Sequence, residues 1–172
     1  IIPTRGNHEN DKTLYNQVFG LENDHPGYFK SRIGSLDLIV LNSEESILGA
    51  QYQWLEEQLQ EAQDQGQWAF PNYHRPAYPA VKRPAATRMW VPLFESYQIR
   101  LVFESDGHAF KKTVPIFQDQ RDVQRGVIYL GEGGLGVKGF ANDGEVEDYR
   151  ITINSPDGPL ERLDRKSTRL NS

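Results

Sequence analysis

The stretch LDLIVLNS, residues 36–43, constrains the fold more than any other part of the chain. Successive side chains of a strand point to opposite faces. A strand that is apolar almost throughout its centre is therefore covered on both faces, the habit of parallel sheets with helices packed on them. Residues 28–33 read as a strand entering it through the turn Gly34-Ser35. Residues 51–63 read as an amphipathic helix: Tyr52, Leu55, Leu59 and Ala62 recur at spacings of three and four, while Glu56, Glu57, Gln60 and Glu61 face water. A strand is predicted over 68–73 and a helix over 88–97, with Trp90, Leu93, Phe94 and Tyr97 on one side. Short apolar strands follow at 99–103, 126–130 and 149–153, the last two separated by the glycine-rich GEGGLGVKG. Near the start, residues 1–3 read as a strand end, 4–10 as the loop after it and 12–19 as a short helix. Pro76, Pro79 and Pro84 make residues 75–87 a rigid extended loop. Strands alternate with helices early and follow one another late, which gives a mixed α/β layered domain.

Composition narrows the function. The 172 residues are 37% hydrophobic and 25% charged, a globular balance. A net charge of -5 carries no nucleic-acid-binding signature, because binders of the phosphate backbone present basic surfaces. A small anionic substrate stays compatible, since a metal ion can supply positive charge locally. The absence of cysteine rules out disulfides and thiolate metal sites. No apolar run approaches the ~20 residues of a membrane segment.

Three of the four histidines follow strand-like runs: His8 after IIPTRGN, His74 after WAFPNY and His108 after IRLVFESDG. Ligands of open α/β sheets gather outside the carboxyl ends of strands. Three strand ends delivering His, with Asn7, Glu9 and Asp106 beside them, converge on one site in such a fold. Imidazole, carboxylate and amide oxygen without sulfur suit iron, zinc or manganese. His25, in the turn-like ENDHPGYF, reads as an ordinary loop histidine.

The segments GNHE (residues 6–9), YHRPAY (73–78) and SDGHAFKKT (105–113) resemble the last three motifs of the calcineurin-like metallophosphoesterases, most closely the purple-acid-phosphatase-like branch. GAQYQWLEEQL resembles the family's helix before the fourth motif, and GVIYLGEGGLGV its late glycine-rich strand. The resemblance covers residues 1–155 and implies a layered β-sandwich flanked by helices. It also implies phosphate-ester hydrolysis by metal-activated hydroxide at a dinuclear site, with two metal ions (Fe, Zn or Mn) and a small phosphate-ester substrate. Carried over, Asn7 and His74 ligate the second metal, and His108, as the final histidine of the last motif, ligates the first. His8 is the catalytic residue beside the substrate, where it stabilises the transferring phosphoryl group or protonates the leaving oxygen, and Glu9 supports it from behind. Tyr78, read from the residues alone, shapes the loop behind His74.

The last motif departs from the pattern. In one register Asp106 stands where the family has its first histidine, and a carboxylate can replace imidazole on these metals. In the other, His108 takes that place and Phe110 falls at the second histidine. The first is preferred because it keeps the ligand count of a two-metal site. The departure keeps a second function open, that of a non-catalytic binding or scaffold module on the same fold.

The family's first two motifs have no counterpart here, and Ile1-Ile2 opens like the middle of a strand. The expectation is an N-terminally truncated part of the domain over 1–155, inactive by itself, with a tail at 156–163. Back-translated, residues 164–172 (DRKSTRLNS) resemble a widely used short-read sequencing adapter, and they are set aside from fold reasoning. Localisation is unknown from the sequence, with export favoured by the resemblance alone.

Overall fold

The structure is a computed structural model that describes residues 1–107 and 110–131. Helix α1 (Lys12–Val18) starts where the side chain of Asp11 accepts the backbone N–H of Leu14 at 2.9 Å, a capping bond that satisfies one otherwise orphaned donor. Strands β1 (Phe29–Ile33) and β2 (Leu36–Val40) pair antiparallel through the tight turn at Gly34, whose φ of 61° suits glycine. Helix α2 (Ala50–Asp64) returns the chain to β3 (Trp68–Tyr73), parallel to β2. A 3-10 turn (Ala86–Trp90) and helix α3 (Val91–Ser96) then lead to β4 (Leu101–Glu104), parallel to β3. After the short β5 (Lys111–Lys112) and the two-stranded ribbon of β6 (Ile116–Phe117) and β7 (Gln120–Arg121), β8 (Ile128–Gly131) pairs parallel with β4. The main sheet has six strands in the order β1-β2-β3-β4-β8-β5.

One face of this sheet carries the core. Ile39, Ala69, Tyr73, Val102 and Tyr129 meet Leu55, Leu59 and Ala62 of α2 and Leu93 and Phe94 of α3, with Trp90 between them. The apolar spacing read from the α2 sequence is the face it buries, and Glu61 on its flank takes Lys30 of β1 at 2.6 Å. The opposite face of the sheet carries Leu38, Phe70, Phe103 and Leu130, all half-buried, with Phe70 and Phe103 in edge contact at 6.3 Å.

Several sequence expectations are corrected. Residues 1–3 form no strand and pair with no strand among the described residues. The helix expected over 88–97 is split, because Pro92 has no N–H for an intrahelical bond and sits in the first turn of α3. Strand β2 is not covered evenly: Ile39 and Val40 are sealed, whereas Leu36 and Leu38 are half-buried. Its one charged residue, Asp37, is buried and held by Arg32 at 2.7 and 2.8 Å. The strand expected at 149–153, the tail at 156–163 and residues 164–172 lie outside the described residues.

Candidate metal centre

Parallel strands deliver their carboxyl ends to one edge of the sheet. Asn42–Glu44 follow β2, His74 follows β3 and Ser105–Asp106 follow β4. The loop of residues 4–10 joins that edge through Thr4, whose hydroxyl accepts the side-chain amide of Asn72 at 2.6 Å. Ser105 N–H donates to the His74 carbonyl at 3.0 Å, which fixes the β3 and β4 ends against each other.

Three polar side-chain atoms from three segments lie close together here. His74 Nε2 lies 2.8 Å from Asn7 Oδ1 and 3.4 Å from Asp106 Oδ1. Local structure aims each of them. Gly6 lies so close to His74 that a Cβ there would stand 2.9 Å from the imidazole ring, so the ring's position depends on a glycine. The Glu9 carboxylate accepts the Gly6 N–H at 2.8 Å, and its carbonyl accepts Arg5 Nε at 3.1 Å. Glu9 thus pins the turn that carries Asn7. Asp106 takes a left-handed backbone, φ 66°, and is bridged by a Gly107 N–H to Ser105 carbonyl bond at 2.8 Å. Asp tolerates that region better than most residues, and strain of this kind collects where a side chain must be aimed.

Electrostatics sets the charge states of these side chains. Burial, the largest influence, lowers the His74 pKa below the usual histidine value, against the pull of Asp106, Glu44 and Glu9. The imidazole is therefore neutral at pH 7, the form that binds metals. Burial, again the largest single influence, pushes the Asp106 carboxyl upward. The Lys82 hydrogen bond and the charges of His74, Lys82 and Arg75 outweigh it and leave the carboxyl below its ordinary value. Lys82 Nζ sits 2.6 Å from Asp106 Oδ1. Arg75, next to His74, is committed to Glu44 by two bonds of 2.7 and 2.8 Å.

One imidazole, one carboxylate and one amide oxygen fit a hard or borderline divalent ion. Among the described residues no group of three or more His, Cys, Asp and Glu side chains lies together, and the third donor here is the amide of Asn7. His8 is exposed on the same turn as Asn7. His108 lies outside the described residues. Tyr78 is buried, its hydroxyl donating to Asp119 at 2.7 Å. Phe110 is 59% exposed.

Sequence reasoning missed the buried group that supports this edge. Glu104, the last residue of β4, accepts Tyr73 Oη and the Ala77 N–H, each at 2.7 Å, and pairs with the Lys111 ammonium. Lys111 also donates to the Tyr78 carbonyl. Lys111 is buried, its stem passing where a Cβ on Gly131 would lie 2.7 Å from Cε. The only hint available was the glycine at the end of β8. Lys82 was missed as well, since one lysine in a proline-rich loop carries no pattern.

No family model and no curated protein matches the chain. A solved structure does: a purple acid phosphatase isolated from yellow lupin (Lupinus luteus) seeds, at a TM-score of 0.55 and 18% identity, over 63% of this chain and 23% of that one. The chain thus spans less than a quarter of the length of that phosphatase. Among the described residues no helix is long and apolar enough to cross a membrane. The chain has a mixed α/β fold, a multi-stranded sheet flanked by helices, that resembles the fold of a purple acid phosphatase.

Proposed function

We propose that this chain is part of a metal-dependent phosphoesterase, and that its parent hydrolyses small phosphate esters at a dinuclear centre. The observation that carries the reading is the meeting of Asn7 Oδ1, His74 Nε2 and Asp106 Oδ1 at the carboxyl ends of parallel strands. These three would hold one ion, and His108 would serve the other. When bound, such ions supply Lewis-acid charge and lower the pKa of water. The His74 imidazole, whose pKa burial lowers, would bind through Nε2 once the proton shared with Asn7 Oδ1 leaves that nitrogen. The exposed His8, one residue from Asn7, would donate a proton to the leaving oxygen. Glu9 would keep the turn of both residues in place through Gly6. The position of Asp106 beside His74, with Phe110 largely exposed, supports the register in which Asp106 replaces the family's first histidine. Export is the compartment that the family resemblance favours.

The test has two arms. The chain is titrated with Zn²⁺ and Mn²⁺ as wild type and as His74→Ala; specific binding that the substitution abolishes is the expected result. The DNA preceding Ile1 in the parent is then read for Asp-x-His and Gly-Asp-x-x-Asp/Asn. Their presence, with metal-dependent cleavage of p-nitrophenyl phosphate by the completed protein, is the predicted outcome. Their absence, or loss of their Asp and His, would leave a binding or scaffold module on this fold.

A further inference from the structure

We propose that Lys82 competes with the metal for Asp106 and thereby sets the affinity of the site. The inference rests on the metal-centre reading above. Lys82 Nζ contacts Asp106 Oδ1, the same oxygen that faces His74 Nε2. The carboxylate side chain is 7% exposed, whereas 47% of the lysine side chain is exposed.

The loop holds Lys82 over this spot. Ala85 N–H donates to the Pro76 carbonyl at 3.2 Å, and Thr87 Oγ1 to the Arg75 carbonyl at 2.9 Å, closing the loop at its base. Val81 lies against the turn that aims Asp106, its Cγ2 3.6 Å from where a Gly107 Cβ would be. The loop's other cation near the site, Arg75, is taken by Glu44.

An ammonium and a divalent ion a few ångströms apart repel strongly, and both draw on the same carboxylate charge. Each therefore lowers the occupancy of the other. A flexible four-carbon stem lets the ammonium leave without moving the backbone, so the metal can displace it at a cost in affinity.

The test is a Co²⁺ titration of the metal-free full chain, followed by visible absorption, for wild type, Lys82→Met, Lys82→Arg, Asp106→Asn and the Lys82→Met/Asp106→Asn pair. Lys82→Met is expected to bind about tenfold tighter, Lys82→Arg to stay near wild type, and the gain to vanish in the Asp106→Asn background. Binding by Lys82→Met alone, with none by wild type, supports the proposal most directly. Equal or weaker binding by Lys82→Met, while His74→Ala still loses the metal, overturns this proposal and leaves the site reading intact. No binding by either wild type or Lys82→Met overturns both.

Discussion

His74 Nε2 stands 2.8 Å from Asn7 Oδ1, across 67 positions of the chain. Two lone-pair-bearing atoms at that distance need a positive centre between them. A ring N–H proton serves here, and under the proposed function a metal ion would take its place. Asn7→Leu removes one donor and leaves the imidazole. Metal affinity should fall by at least the ~10–100-fold that follows loss of an outer-shell partner. A Co²⁺ titration checks this, and undiminished affinity would remove Asn7 from the site.

Gly6→Ala tests how the ring is placed. The new methyl would stand 2.9 Å from His74 Cε1 and Nδ1, closer than a Cβ packs. Overpacking of this kind costs about 1–3 kcal/mol. Urea unfolding should show that loss, and metal affinity should fall with it because the ring must shift. A variant with wild-type stability and affinity would mean that the ring yields freely.

The His74 pKa gives a pH dependence with a definite sign. Its folded value lies below the unfolded value near 6.5, so the unfolded chain binds the proton more readily. The contribution is fully present above the unfolded pKa. It is lost as pH falls from there through the folded pKa. Urea midpoints of the metal-free chain should drop between pH 7.5 and 5.5, and His74→Asn should flatten that part of the profile. An unchanged slope in the variant would assign the effect to another group.

Lys111→Met leaves the Glu104 carboxylate buried without its ammonium partner. Burial, the largest influence, lowers the Lys111 pKa, and the neighbouring Glu104 charge opposes it, as expected for an ion pair out of water. Breaking such a pair costs about 3–5 kcal/mol. Replacing both partners, as Glu104→Gln with Lys111→Met, should recover part of the loss. Chemical denaturation measures both, and a Lys111→Met variant within about 0.5 kcal/mol of wild type would contradict the buried pair.

Deleting residues 164–172 should change neither the thermal midpoint nor the metal affinity, because the sequence there lacks apolar periodicity. A drop of several degrees on deletion would make these residues part of the folded unit.

Much of the scaffold is legible in the sequence. Apolar spacing in α2, the strand runs of β2, β3, β4 and β8, and the Gly34 turn are local patterns, each set by a few neighbouring residues. The two-residue strands β5, β6 and β7 were not legible, since two residues hold no period, and Pro92 split a helix that apolar spacing alone had made continuous.

The sequence by itself determined where these residue types stand: Asn7 in GNHE, and His74 and Asp106 each after a strand run. Only the tertiary structure decided that Asn7 and Asp106 both lie beside His74, that Glu9 holds Gly6, and that Lys82 rests on Asp106. It alone turned Lys111 inward to Glu104, past Gly131. The reason is physical. Strand and helix periodicity is written between neighbours a few positions apart. A donor cluster or a buried ion pair depends on segments tens of residues apart, brought together by parallel strands that end on one edge.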